Sequence, residues 1–145
     1  RMVAVDPFGA YAAAMAAGGN DPVRVEVPGP TTAFSVATPI ATHQGLAALR
    51  DSGGTAAGPF DDATIMAAQR SVAGRTGLYL EASSCLTITA AEQLRSQGTL
   101  SIDDVVVAVA TSTGLKDVGA SAARLPDVPL VPPVLDALAE ALEQR

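Results

Sequence analysis

Two short stretches hold most of the side chains in this sequence that could do chemistry: Glu81-Ala82-Ser83-Ser84-Cys85 and Thr111-Ser112-Thr113-Gly114-Leu115-Lys116-Asp117. Each sets hydroxyls beside a carboxylate within a few positions. A hydroxyl can donate a hydrogen bond to a ring nitrogen or a phosphate without carrying charge, which suits it to holding a small polar ligand. Lys116 is the single lysine of the chain, and a lysine is the natural imine-forming residue. His43 stands between Thr42 and Gln44 with no Asp, Cys or second His at ligand spacing, so it reads as a surface helix residue and no metal site is expected. Cys85 sits near the start of a predicted helix, where a thiol can be reactive; a small apolar filler is the expected role.

The elements that must position these residues alternate. Residues 1–5 form a short apolar strand stopped by Asp6-Pro7, and residues 9–17 an alanine-rich helix ended by Gly18, Gly19 and Asn20. Four prolines between residues 21 and 39 leave residues 23–27 as an edge strand at best. A helix over residues 42–50 then meets Gly53-Gly54, a pair that resembles a phosphate-binding loop but reads as a helix end and turn. After an extended segment at 55–58, Asp61 caps a helix, with Phe60 and Ile65 spaced as a hydrophobic staple. That helix is predicted to stop at Gly74.

Residues 78–80 form a brief apolar strand leading into Glu81, after which Ser83 or Ser84 caps a helix that continues to Gln97 and Gly98. Residues 105–110 are apolar at every position, the pattern of a central strand covered on both faces of a parallel sheet. Beyond Pro132, Leu135, Leu138 and Leu142 recur at helical spacing, so residues 132–145 read as a terminal helix. Alternation of this kind predicts an α/β fold with a layered, mostly parallel sheet and helices on both faces. In such sheets ligands bind outside the carboxyl ends of the strands, which is where both chemistry-bearing stretches fall.

The bulk properties narrow the function classes. The net charge is -6 over 145 residues and no basic residues cluster, so nucleic acid is not an expected partner. The longest apolar runs are far shorter than the ~20 residues of a membrane span. A soluble protein of a reducing cytoplasm is expected, since one cysteine cannot close an internal disulfide. The chain opens on an apolar strand without an initiator methionine, and so reads as the continuation of a longer one.

The segment "GLYLEASSCLTITAAEQLRSQGTLSIDDVVVAVATSTGLKD" resembles the end of the cofactor-binding domain of threonine synthase and its relatives among the fold-type-II pyridoxal-phosphate enzymes, the tryptophan synthase beta-like superfamily. There an "E-P-S-S-A" turn precedes a helix and a "T-G-x-G-L-K-D" turn follows the last sheet strand. The preceding "ALRDSGGTA" and "FDDATIMAAQRSVAGRTGLYLE" match the same order of elements, so the resemblance runs from about Arg1 to Asp117. Three departures bear on the substrate: Ala82 stands for the usual proline, Cys85 for a small alanine and Ser112 for the first glycine of the second turn.

The resemblance implies that residues 1–131 are the C-terminal portion of the cofactor-binding domain. It also implies a parent protein that binds pyridoxal 5'-phosphate, acts as a lyase on a small amino-acid substrate, and forms a homodimer. Thr111 matches the hydroxyl that contacts the pyridine nitrogen, while Glu81 and Ser84 match positions lining the cofactor pocket. Without the resemblance, Thr111 reads as a loop residue capping an amide, Glu81 as an acid favoured by a helix dipole and both serines as caps. The family's Schiff-base lysine and phosphate loop lie upstream of the matched region, so no catalytic residue is expected in this chain, which alone should be inactive. Lys116 in its "GLKD" turn is read as structural and paired with Asp117. The implied reaction is conversion of O-phosphohomoserine to threonine; threonine or serine dehydratase, diaminopropionate lyase and cysteate synthase share the scaffold. A non-catalytic α/β module that binds a ligand or partner is the reading of another class.

Overall fold

The computed structural model describes residues 1–143 of the chain. β1 (Val3–Val5) leads through α1 (Ala10–Ala16), a 3-10 turn at Phe34–Val36 and α2 (His43–Asp51) into β2 (Thr55–Ala57). The two strands pair in parallel, Val3 opposite Thr55 and Val5 opposite Ala57. Such a pair requires a crossover connection, which the two helices provide. α3 (Asp62–Thr76), α4 (Ala82–Ser96), α5 (Val118–Ala122) and α6 (Leu135–Glu143) follow. No helix among the described residues is long and apolar enough to cross a membrane.

Local chemistry accounts for most boundaries. The Asp6 carboxylate is buried and accepts from the amide of Phe8 (3.0 Å) ahead of α1 and from those of Ala10 (2.9 Å) and Tyr11 (3.1 Å) in its first turn, which have no intrahelical partner. The sequence reading took Asp6 only as a strand stop. Thr42 caps α2 through Gly45 N, and the helix ends where Gly53 takes a φ of 58°, so the glycine pair serves as helix end and turn. Gly54 is required sterically: a Cβ there would lie 2.2 Å from the Met2 carbonyl oxygen. Asp61 caps α3 through Thr64 N at 2.7 Å, and its hydrogen bonds to Thr64 hold the carboxyl below its ordinary range. Phe60 packs on the same cluster as buried Ile65, closing the staple. α3 runs through Gly74 to Thr76 and stops at Gly77 (φ 76°). The helix keeps its bonds at Gly74, and the left-handed φ that ends it falls at the next glycine.

The core is built on α4. Its Cys85 and Leu86 join Ile65 and Met66 of α3 and Ala33 in one cluster, while Ala90 and Leu94 pack on Ala57 of β2. Ala14, Ala41 and Leu46 form a second cluster between α1 and α2.

Three extended segments depart from expectation. Residues 23–27 make only an isolated bridge, Arg24 to Ile40, and residues 78–80 only one from Leu80 to Thr113. The larger correction concerns residues 105–110, expected as a central strand. Val105 is 93% exposed and Val107 84%, and the segment makes no ladder with another strand among the described residues. The valine run instead walls a cleft of about 620 Å³ with Val3, Val5 and Ala90. Apolar composition predicts burial on both faces only where neighbouring strands bond its peptide groups, and among the described residues no strand does so here. The terminal helix is present as α6, with Leu135 and Leu142 exposed; Gln144 and Arg145 lie outside the described residues.

Leu86 is fully buried at the α3–α4 contact, so Leu86→Ala should lower stability by about 2–5 kcal/mol, measurable by urea denaturation; a loss far below this would show that α4 is not the centre of the core. Cys85 is also fully buried, and burial, followed by the nearby Glu81 charge, pushes its thiol up to about 11 from 9.0. The thiolate is the reactive form, so alkylation of the folded protein should be slow near neutral pH and fast once urea unfolds it. The unfolded thiol releases its proton near 9.0 while the folded one keeps it to about 11, so this contribution to stability falls as pH rises through that window. Rapid labelling in native buffer would contradict the assignment of Cys85 as a core filler.

Candidate functional site

The first turn of α4 and the segment around residue 112 are tied together through the backbone. Gly114 N donates to the Tyr79 carbonyl (2.8 Å) and Glu81 N to the Ser112 carbonyl (3.1 Å), giving a short antiparallel contact. Glycine is needed at 114, where a Cβ would come within 2.5 Å of the Tyr79 ring. The Leu80 carbonyl accepts from Gln69 Nε2 at 2.7 Å, and Ser121 Oγ links Gln69 to the Tyr79 hydroxyl at 2.7 Å on each side. Residues from α3 and α5 thus hold the strand-like segment that enters α4. Sequence reasoning did not find this polar bridge, because its members are 42 and 52 residues apart in the chain.

Of the three candidate residues, two meet directly. Ser84 Oγ lies 2.8 Å from Thr111 Oγ1 and accepts from the amides of Thr111 and Ser112, both at 3.1 Å. Ser84 is 1% exposed, whereas Thr111 faces solvent. The capping role expected for the serines is corrected here. Both lie inside α4, Glu81 occupies the cap position without a side-chain cap bond, and the Ser84 hydroxyl bonds a segment 27 residues away rather than its own helix end.

Glu81 points elsewhere. Its buried carboxylate pairs with Lys116 Nζ at 3.0 Å, and the ammonium also donates to Ser35 Oγ at 2.9 Å. Phe34 lies beneath it, 5.6 Å from ring centroid to nitrogen. The expected pairing of Lys116 with Asp117 is therefore overturned. Asp117 accepts from Ala120 N at the start of α5, and a carboxylate buried at 81 needs a cation more than one already bonded to amides does. Ser35 had no signal in the sequence; it arrives through the 3-10 turn.

Chemically, the arrangement offers one exposed neutral hydroxyl seated on a buried serine, with a carboxylate neutralised by an ammonium at the cap of the same helix. It can bind a small polar group, and a hydroxyl that is itself held costs less entropy to order against a ligand. Among the described residues no three His, Cys, Asp or Glu side chains gather as metal ligands would.

Comparison with known proteins gives the site its context. No protein-family model matches the chain. Threonine synthase of Methanosarcina acetivorans is 32% identical over 113 residues, covering 78% of this chain and 27% of that protein. Threonine synthase of Methanocaldococcus jannaschii is 31% identical over 86 residues, 59% of this chain and 21% of its own length. The chain thus spans about a quarter of the length of the curated relatives it matches. Among solved structures, a threonine deaminase from T.th. aligns with a TM-score of 0.51 at 22% identity over 67% of this chain and 33% of its own. A fungal L-serine ammonia-lyase from Rhizomucor miehei aligns at 0.54, also 22% identical, over 77% of this chain and 36% of its own. The chain is a partial match to threonine synthase, and its α/β arrangement is part of the fold that the fold-type-II pyridoxal-phosphate enzymes share.

Proposed function

We propose that this chain is the C-terminal part of the cofactor domain of a pyridoxal-phosphate-dependent lyase that converts O-phosphohomoserine to threonine. The observation that carries the reading is the Ser84–Thr111 contact, which falls on two residues that the family resemblance assigns to the cofactor pocket. The donor set suits one end of that group. Thr111 would face the pyridine nitrogen with a neutral hydroxyl, Ser84 would stand behind it, and Glu81 would line the pocket with its charge already balanced by Lys116.

When bound, pyridoxal phosphate supplies an electron sink for elimination and replacement at a substrate amino acid. The protein's own part here is orientation. A threonine cannot protonate a ring nitrogen as a carboxylic acid would, so it holds the ring without adding positive charge to it. Keeping Glu81 paired leaves no net negative charge from that residue to repel an anionic substrate. Lys116 is committed to Glu81 and Ser35, so in this reading the imine-forming lysine and the phosphate loop come from outside these 145 residues, and the working protein is a homodimer. Threonine synthase is preferred over the dehydratases because both curated relatives that match by sequence, at 32% and 31% identity, are threonine synthases.

The test uses the full-length protein that contains this chain. It should bind pyridoxal phosphate with a visible absorption band and release threonine and inorganic phosphate from O-phosphohomoserine. Thr111→Val should weaken cofactor binding about tenfold, as loss of a hydrogen bond of ~1.4 kcal/mol would, and the 145-residue chain alone should give no turnover. Release of ammonia and an oxo acid from threonine or serine, with no product from O-phosphohomoserine, would replace this reading by a dehydratase. Absence of cofactor binding would end it.

A further inference from the structure

The three bonds at Ser84 determine which way its proton points. A hydroxyl oxygen has two lone pairs and one proton. The amides of Thr111 and Ser112 both donate to Ser84 Oγ at 3.1 Å, and an amide N–H has no other role to play. Both lone pairs are then in use, and the proton is left for Thr111 Oγ1 at 2.8 Å. Ser84 donates and Thr111 accepts. With 1% of its surface exposed, Ser84 has no room for a ligand of its own.

The consequence passes to Thr111. Its side chain makes no other hydrogen bond among the described residues, and the residue is exposed. Its oxygen keeps one lone pair and its own proton. Hydrogen bonds in series polarise one another: two amides feed Ser84, Ser84 feeds Thr111, and each step makes the next proton a better donor and the next oxygen a poorer acceptor. The chain of bonds therefore runs outward from the backbone through Ser84 and ends on the Thr111 proton.

We propose that Ser84 is a positioning residue that sets Thr111 as an outward hydrogen-bond donor, so that the site selects a ligand atom offering a lone pair. This rests on the reading of the site given above, in which that atom is the pyridine nitrogen of the cofactor. In this reading Ser84, buried behind Thr111, acts on the cofactor through Thr111. Neighbouring Ser83, also in the first turn of α4, makes no bond to the 111–112 segment and has no such role.

The test compares two ligands on the full-length protein: pyridoxal phosphate and its 1-deaza analogue, in which carbon replaces the ring nitrogen. Ser84→Ala should weaken binding of pyridoxal phosphate by roughly 3- to 10-fold, the range of one neutral hydrogen bond, and leave the 1-deaza analogue nearly unaffected. Ser84→Cys keeps an atom at the γ position while supplying only a weak donor and acceptor, and should show the same selective loss even where the alanine variant folds poorly. In the Ser84→Ala/Thr111→Val double variant the losses should not add, since one residue works through the other. Equal weakening of both ligands, or additive losses, would make Ser84 merely structural and overturn the proposal while leaving the cofactor site standing. A wild-type protein that binds neither ligand would overturn both.

Discussion

A single buried hydroxyl joins the two halves of the site. Ser84, in the first turn of α4, reaches across to the amides of Thr111 and Ser112 and to the Thr111 side chain. The segment it holds comes from residues 105–110, which have no strand partner among the described residues and little burial. That clamp, the backbone contacts from Glu81 to Ser112 and from Gly114 to Tyr79, and the Lys116–Glu81 pair locate Thr111 relative to the helix. A long-range side-chain to backbone bond thus does the positioning that a sheet ladder would do elsewhere.

The clamp is only as firm as the helix that carries it. α4 is held on one side by α3 through Ile65, Met66, Cys85 and Leu86, and on another by Ala57 of β2 through Ala90 and Leu94. The small residues of its first turn, Ala82, Ser83 and Ser84, are all buried and allow close approach of the loops. Placing Glu81 in the same turn brings a carboxylate out of water, and the ion pair with half-exposed Lys116 offsets that desolvation. The same ammonium bonds Ser35, so the 3-10 turn is drawn to the site by a charge that the helix needed balanced.

Much of this was readable beforehand. The helix starts at Thr42 and Asp61 and the staple of Phe60 with Ile65 follow from chemistry within a few residues, and they stand in the structure as expected. The choice of Glu81, Ser84 and Thr111 as the residues of interest came from the order of turns and the family resemblance, and the structure joins Ser84 to Thr111. Misread features share one cause. The 105–110 run, the ends of the Lys116 ion pair and the direction of the Ser84 hydroxyl each depend on a partner distant in the chain, which hydrophobic pattern and capping rules cannot name.

By itself, the sequence determined the first two strands, the capped starts of α2 and α3, the position of the two hydroxyl-rich turns, and the likeness to threonine synthase. Caps and periodicity act within one or two turns of chain, so they survive without any knowledge of the fold. Only the tertiary structure decided that Glu81 faces Lys116, that Ser84 lies buried while Thr111 stays exposed, and that the valine run lines an open cleft. Burial and long-range hydrogen bonds are set by which surfaces come together, and a hydroxyl acquires its direction only from the groups packed around it.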